Sequence, residues 1–369
     1  MNISKYLIKK FKDKKCDLLG YGRSNKPLAE ILLSAGAHVT FRDRNESLLS
    51  DASALEFMQK GIDCKVGDGY LDSIDGDFIF RTPGIRHDLP EIVSAVKNGA
   101  VLTSEMELFF EVCPAKLIGI TGSDGKTTTT TLTHLFLQKE GENQGFKAYV
   151  GGNIGAPLLP YVSEMTEKDF AVVELSSFQL QTMCSYAFRA AITNITPNHL
   201  NWHTDMQEYT LAKYNVFGDS TELLVLNGKN ELSRAAAERF SGRVIFFSAH
   251  CTQKGAEFAE LTCGREKSAA IFLRGDDVIY SDGESEVVVL HASEIRIPGI
   301  HNVENYMTAA ALTWGYVPIE VIGEVAREFA GVPHRLEFVR ELDGVKYYNS
   351  SIDSSPSRSV AALSTFECR

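Results

Sequence analysis

The sequence predicts an α/β protein built from successive parallel-sheet domains, and three observations carry that prediction. Short apolar runs alternate along the chain with stretches of helical periodicity, the pattern of a mostly parallel sheet flanked by helices. Two of those runs end in a glycine turn that opens a helix, one at residues 20–25 and one at 122–128. A length of 369 residues suits two to three domains of about 150 residues each.

The expected elements follow in order. Residues 1–15 interleave Ile3, Leu7, Ile8 and Phe11 with lysines, which reads as a short amphipathic helix and lacks the continuous apolar core of a signal peptide. Residues 16–20 form a strand. A helix carrying Leu28, Ile31, Leu32 and Leu33 closes at Gly36, and 38–41 form a second strand ending at Arg42-Asp43-Arg44; this is a β-α-β start. A strand at 77–80 runs into Arg81-Thr82-Pro83-Gly84, completing a Rossmann-like domain over residues 1–110. A central P-loop-type domain is expected over 111–331. It has strands at 116–121, 170–175, 190–196, 223–227 and 244–248 and a helix from Lys126. An antiparallel meander over 269–297, broken by Gly-Asp-Asp and Ser-Asp-Gly turns, supplies a small antiparallel sheet. Pro298-Gly299 ends the meander, 301–316 is a helix and 331–333 a linker. Residues 332–369 hold a strand (345–348) and a helix (357–363), too little for an independent domain.

Composition closes off several classes. The balance of 48 acidic against 37 basic residues leaves a net charge of −11, without the clustered positive charge of a general nucleic-acid binder. Phosphorylated small molecules stay open, because a few backbone amides hold a phosphate locally. With 44% hydrophobic and 23% charged residues the chain is not disordered, and no apolar run approaches the roughly 18 residues of a membrane span. Cysteines at 16, 64, 113, 184, 251, 263 and 368 are odd in number and never spaced C-x-x-C. That argues against a disulfide framework or zinc site and for free thiols in a reducing cytoplasm.

Four strings carry chemistry. Gly20-Tyr21-Gly22-Arg23-Ser24-Asn25 has the first two glycines of a dinucleotide fingerprint with Asn25 at the place of the third, and Asp43 ends the next strand about twenty residues on, where an acid meets a ribose. The pattern fits a nicotinamide cofactor, a uridine nucleotide, or a glycine turn with no ligand. Gly122-Ser123-Asp124-Gly125-Lys126-Thr127-Thr128 has the strand, turn and helix start of a phosphate loop, spaced G-x-x-G-K-T-T. Its amides point at anionic oxygens, Lys126 at terminal phosphates and Thr127 at Mg²⁺. Threonines 127 to 131 are weak helix formers, so a purely structural helix start is less natural there. Glu174-Leu175-Ser176-Ser177-Phe178-Gln179-Leu180 follows a buried strand, and Glu174 is either a Mg²⁺ ligand or a satisfied strand-end acid. Asn194-Ile195-Thr196-Pro197-Asn198-His199-Leu200-Asn201-Trp202-His203 ends another strand; its histidines are ligand contacts or neutral surface groups. Lys213, on an expected helix, would ordinarily be solvated.

In this order, with Gly151-Gly152-Asn153-Ile154-Gly155, Gly299-Ile300-His301-Asn302, Asn305 and Pro333-His334-Arg335-Leu336-Glu337, the strings resemble the Mur ligases of peptidoglycan synthesis from Gly20 to Arg335. The Glu-Leu-Ser-Ser-Phe-Gln-Leu and Gly-Gly-Asn-Ile-Gly strings are similar to the branch that adds D-glutamate. The resemblance implies a cytoplasmic, monomeric ATP-dependent ligase acting on UDP-N-acetylmuramoyl-L-alanine and D-glutamate, with no nucleic-acid partner and no membrane span. ATP phosphorylates the alanine carboxylate, and the amine of D-glutamate displaces phosphate.

The resemblance also implies roles. Gly20, Tyr21, Gly22, Arg23, Ser24, Asp43, Arg44, Thr82, Pro83 and Gly84 would bind the UDP-sugar, with Asn153, Ser176 and His199. Gly122, Ser123, Asp124, Gly125, Lys126, Thr127 and Thr128 would bind ATP, with Asn302, Asn305 and Arg335. Thr127, Glu174, His199 and Lys213 would serve two Mg²⁺ ions, and Lys126, Glu174, His199 and Lys213 would be the catalytic set. A bare ammonium cannot ligand Mg²⁺; in the family the matching lysine is carbamylated by CO₂, and Lys213 lies 14 residues beyond His199.

Three features depart from the family pattern. Asn198 stands where many relatives have Asp. Asn349-Ser350-Ser351-Ile352-Asp353-Ser354-Ser355 replaces Asn-Asp-Ser-Lys-Ala-Thr-Asn, so Ser350 lacks the acid and Ile352 the lysine, with Asp353 and Arg358 as candidate substitutes. The chain ends at Arg369, inside the expected start of a C-terminal Rossmann-like domain, which is therefore expected to be incomplete and to leave Val345, Tyr347, Val360 and Leu363 exposed.

Overall fold

The computed structural model describes residues 2–351, 356–363 and 365–366. The chain divides into two compact units: Met1–Ala115 with Gly155–Glu167 and Ser176–Ser185, and Lys116–Ile154 with Lys168–Leu175 and Tyr186–Arg369.

The first unit is a five-stranded parallel sheet in the order Asp63–Val66, His38–Asp43, Lys15–Leu19, Phe78–Arg81, Val101–Thr103. The amphipathic start folds as helix Ile3–Phe11, with Leu7 and Phe11 inward and Phe11 edge-on to Phe78 at 5.0 Å. The two outer strands, Asp63–Val66 and Val101–Thr103, are short and only partly buried; they lack the apolar run by which the inner strands announce themselves. Lys15–Leu19 is flanked on one side by the strand that follows it and on the other by Phe78–Arg81. Connections therefore diverge from its carboxyl end, where α/β sheets open a crevice.

The second unit carries nine strands in the order Glu286–His291, Asp277–Ser281, Ser268–Arg274, Arg243–Ser248, Leu223–Asn227, Arg189–Ile192, Lys116–Thr121, Phe170–Glu174, Ala148–Gly152. The expected meander extends this sheet at its edge: Ser268–Arg274 still runs parallel to Arg243–Ser248, and the last two strands turn antiparallel. Lys116–Thr121 lies between Phe170–Glu174 and Arg189–Ile192, a second point of divergence. Helix Lys126–Gln144 packs on helix Ile300–Thr313 over a core of Ile118, Ile120, Leu132, Phe136, Val172 and Ile245. Its threonines are accommodated because Thr131 and Thr133 donate to the carbonyls four residues back, at 2.8 Å each. Helix Ile319–Glu328 and strand Ala148–Gly152 complete the unit.

The tail forms an antiparallel pair, Glu337–Leu342 with Val345–Asn349, and helix Pro356–Leu363. Val345, Tyr347, Val360 and Leu363 are exposed, as expected. Ile352 and Asp353 lie outside the described residues, as do Ser354 and Ser355. Among the described residues no helix is long and apolar enough to cross a membrane.

Candidate active site

In the first unit the turn after Lys15–Leu19 is held from three sides. Gly20 is left-handed at φ +92°, and a Cβ there would fall 2.6 Å from Thr82 Cγ2, so Thr82-Pro83-Gly84 borders the turn. The Tyr21 amide donates to Asp43 Oδ2 at 2.7 Å, while Asp43 Oδ1 accepts from the Asn45 amide at 2.8 Å. Asn25, in place of a third glycine, is buried and donates to the Leu19 and Gly20 carbonyls at 3.1 and 2.8 Å. The departure from the fingerprint is thus a side chain that closes the turn from beneath. Arg23 donates to the Gly155 carbonyl, and Ser24 precedes helix Asn25–Ser34 without a side-chain cap bond.

Two arginines flank Asp43 with opposite fates. Arg42 is sealed in the core, donating to Asp17 at 2.5 Å and to the Tyr70, Asp72 and Ser73 carbonyls. Arg44 is 82% exposed and lies 3.9 Å from Asp68. Ser176 belongs to this unit, and its hydroxyl is engaged in a capping box with Gln179 that starts helix Ser177–Leu180.

In the second unit the loop after Lys116–Thr121 is tied down by the segment that sequence analysis marked as a ligand string. The Ser123 amide donates to the Asn194 carbonyl at 2.8 Å, the Asp124 amide to Asn194 Oδ1 at 2.9 Å, and the Ser123 hydroxyl to the Thr196 carbonyl at 3.0 Å. Thr193 donates to the Asp124 carbonyl at 2.6 Å. A Cβ at Gly122 would fall 1.9 Å from Thr193 Oγ1, and one at Gly125, left-handed at φ +82°, 2.5 Å from Asn305 Oδ1; only glycine fits either place. Helix Lys126–Gln144 starts there with no side-chain cap, and the backbone amides of a helix start suit an anion.

Charge gathers around this loop. Lys126 Nζ donates to the Gly122 and Ser123 carbonyls at 3.0 and 3.1 Å, and Lys213 Nζ to the same Gly122 carbonyl at 2.8 Å. Lys213 is 1% exposed; burial, reinforced by the Lys126 charge, holds its ammonium well below the usual lysine range, with Asp124 and Glu174 opposing. Lys213 is therefore not the solvated lysine that its helix, Met206–Tyr214, suggests. Glu174 is 1% exposed. Its Oε1 accepts from Asn153 Nδ2 at 2.8 Å, and its Oε2 has no hydrogen-bond partner among the described residues. A buried carboxylate oxygen left open is what a cation ligand looks like without its cation, so Glu174 suits Mg²⁺. Asn153 acts here as the group that orients Glu174.

His199 sits on an exposed loop in a left-handed conformation, φ +55°. Its ring lies 6.5 Å edge-on from Tyr209, over whose face Lys213 Nζ stands at 4.5 Å. Tyr209, which sequence reasoning missed, thus links His199 to Lys213 and also bonds the Ser123 hydroxyl at 2.9 Å. His203 is buried against Trp202 and Tyr209, with Nδ1 3.3 Å from Glu208; it is a packing residue. Among the described residues no three His, Cys, Asp or Glu side chains cluster as a metal site.

Beside the loop opens a cavity of about 250 Å³ lined by Asp124, Gly125, Thr128, Asn302, Asn305 and Arg335, with Phe247, Ile297 and Pro298 as apolar wall. Thr129 donates to Asn305, Asn305 to Asn302 at 3.1 Å, and Asn302 to the Pro298 carbonyl at 2.6 Å. Arg335 reaches Thr127 Oγ1 at 3.0 Å. Asn302, Asn305 and Arg335, distant in sequence, are therefore brought to one cavity with the loop. Ser350 lines it too, its hydroxyl accepting from the Leu336 amide at 3.2 Å.

Residues 120–313 match the Mur ligase middle domain. The chain is 45% identical over 365 residues to the UDP-N-acetylmuramoylalanine–D-glutamate ligase of Acetivibrio thermocellus, covering 97% of this chain and 74% of that protein. It is 44% identical over 370 residues to the enzyme of the same name from Clostridium novyi, covering 98% and 76%. Among solved structures, a murein peptide ligase from Psychrobacter arcticus superposes with a TM-score of 0.53 at 16% identity over 95% of this chain and 75% of that one. UDP-N-acetylmuramate-alanine ligase from Thermotoga maritima gives 0.52 at 20% identity over 95% and 77%; these two speak for the fold alone.

Proposed function

This chain belongs to the Mur ligase family, and we propose that it is the member that joins D-glutamate to UDP-N-acetylmuramoyl-L-alanine, driven by ATP, as a monomer in the cytoplasm. The observation that carries the reading is the cluster of Lys126, Lys213 and Glu174 around one phosphate-type loop. A carboxylate is a poor acyl donor, since its oxygen leaves badly and its charge repels nucleophiles. Phosphorylating it removes both obstacles, but brings a second anion against the γ-phosphate, so cationic groups must converge.

The chain's residues divide that work. The loop amides and Lys126 hold the phosphates, Asn302 and Asn305 border the nucleoside, and Arg335, bonded to Thr127, reaches the phosphate side of the cavity. Thr127 and Glu174 would hold one Mg²⁺ and His199 with a carbamylated Lys213 a second, where the ions offset phosphate charge. The depressed Lys213 ammonium supports carbamylation, because CO₂ reacts with the neutral amine. In the first unit, the turn at Gly20–Ser24 with Asp43 and Thr82-Pro83-Gly84 would take the uridine diphosphate.

The deciding experiment supplies the purified chain with ATP, Mg²⁺, UDP-N-acetylmuramoyl-L-alanine and D-glutamate and follows ADP and the dipeptide product. D-glutamate-dependent product is expected. Product formed only with another amino acid would move the chain to a sibling ligase. Ser350, standing where relatives carry an acid, favours a second reading, a nucleotide- and UDP-sugar-binding protein without turnover; that outcome appears as binding of both ligands with no ADP. Melting temperature should rise with UDP or UDP-sugars; a rise with NAD and none with UDP would overturn the uridine assignment.

A further inference from the structure

The cavity beside the loop contains a carboxylate that the proposed reaction does not use. Glu304 stands on helix Ile300–Thr313 between Asn302 and Asn305 and lines the same cavity. One of its oxygens is committed: Oε1 accepts from the Ala249 amide at 3.1 Å and from the Ser248 hydroxyl at 3.4 Å, at the carboxyl end of strand Arg243–Ser248. Among the described residues Oε2 has no hydrogen-bond partner, and it is not one of the sealed polar atoms of the interior. An acceptor held rigidly by its twin oxygen, with its own lone pairs open, waits for a donor.

Sheet topology says which part of a nucleotide comes there. Lys116–Thr121, which carries the phosphate loop, and Arg243–Ser248, which anchors Glu304, are separated by Arg189–Ile192 and Leu223–Asn227. Three strand spacings amount to roughly 14 Å. An extended nucleotide with its phosphates on the loop spans that offset with its base. The Phe247, Ile297 and Pro298 wall beside Glu304 is the apolar face a flat heterocycle needs.

We infer that Glu304 is a base-selecting residue, its Oε2 accepting a hydrogen bond from the exocyclic amine of adenine. The inference rests on the assignment of ATP to this cavity. Burial pushes the Glu304 carboxyl up, with the Ala249 amide, His250 and the Ser248 hydroxyl opposing.

Glu304→Gln gives a sharp test because the Ala249 amide is a donor. The glutamine carbonyl stays on Ala249, so its NH₂ takes the place of Oε2 and turns an acceptor into a donor. Nucleotide binding to the full chain with Mg²⁺ is measured by calorimetry for ATP, ITP (6-oxo) and purine riboside triphosphate (no 6-substituent). The parent should prefer ATP to purine riboside triphosphate roughly tenfold or more. Glu304→Gln should lose that preference and shift the ATP-to-ITP ratio toward ITP by about tenfold or more, and Glu304→Ala should bind ATP and purine riboside triphosphate alike. A merely structural carboxylate would weaken all three nucleotides equally, and that result overturns the inference. Equal loss across base analogues with altered discrimination of 2′-deoxyATP would move the contact to the ribose and overturn it too. Asn305→Leu separates the two levels. If it leaves ATP binding intact, ATP lies elsewhere and the cavity assignment fails; if it abolishes ATP binding while Glu304→Gln leaves the base ratios unchanged, only base selection fails.

Discussion

The molecule makes the same turn twice and uses it in opposite ways. Gly20–Asn25 and Gly122–Lys126 both leave a parallel strand at a point where the sheet's connections diverge, and both open a helix through a left-handed glycine. Around the first, the chain's own groups close ranks: Asn25 occupies two carbonyls beneath the turn, and Asp43 spends both oxygens on backbone amides. Around the second, buried groups are left dissatisfied: a lysine with its charge suppressed and a carboxylate with one oxygen open. Turn geometry is generic; the side chains that border it decide whether it binds passively or does chemistry.

The comparison breaks most visibly at Lys126. In the proposed reading Lys126 meets the terminal phosphates, so Lys126→Ala should cut ATP turnover by about 10⁴-fold while melting temperature holds, since its ammonium donates to the Gly122 and Ser123 carbonyls of the loop itself. ADP release at the parent rate would remove the phosphate-loop assignment.

Lys213→Ala should cost somewhat less, about 10³-fold, and a short carboxylic acid in the assay should restore part of it by supplying the missing oxygen. The proposed carbamate would form from the neutral amine, so activity should fall as pH drops and as CO₂ is stripped from the buffer. Unchanged turnover in Lys213→Ala would exclude this lysine from the site.

These positions also show how far sequence carries. The strand-turn-helix strings were legible because phosphate binding demands a fixed local order of glycine, lysine and threonine. The burial of Lys213 was not: helix Met206–Tyr214 is polar enough to look solvated, and only packing against the loop reveals otherwise. The string from Asn194 to His203 reads as a ligand segment through its histidines, and Asn194 and Thr196 within it turn out to brace the loop, because a local sequence does not separate a group that anchors backbone from one that meets a ligand. The edge strands and the tail strand Glu337–Leu342 escaped notice, being too short or too exposed to show a period. Tyr209 and Glu304 act through contacts between distant segments, which no local pattern records.

A buried ionisable group also exists in the first unit, and it sharpens the contrast because no proposed chemistry uses it. Glu105 is sealed, and burial pushes its carboxyl up to about 7, with the Leu159 amide opposing. The unfolded chain titrates this group near 4.5. Between these values the folded state binds more protons, so stability falls as pH rises from about 4.5 to about 7 and stays low above. The charged form costs on the order of 3 kcal/mol at pH 8. Glu105→Gln should therefore raise stability at pH 8 and give little or none of that gain at pH 4.5, measured by urea denaturation. A gain of equal size at both pH values would mean that packing, not ionisation, is responsible.

The smallest expected effect isolates the first turn itself. Asn25→Ala removes two donors and leaves the Leu19 and Gly20 carbonyls without their side-chain partner in a place where the asparagine is 1% exposed. Losing buried hydrogen bonds of this kind costs about 1–2 kcal/mol, a few degrees of melting temperature for a unit of this size. The effect should be confined. The Gly20 turn loosens, so UDP-sugar affinity falls, while the Gly122–Lys126 loop keeps its own anchors on Asn194 and Thr196 and binds ATP as before. Asn25→Gly, which completes the dinucleotide fingerprint, should be no better than alanine, because the missing element is a donor and not room for the backbone. Calorimetric titration of both variants with each ligand checks the separation. Were Asn25→Gly to bind UDP-sugar as tightly as the parent, the asparagine would be a tolerated substitution for glycine and the closed character of the first turn would need another cause.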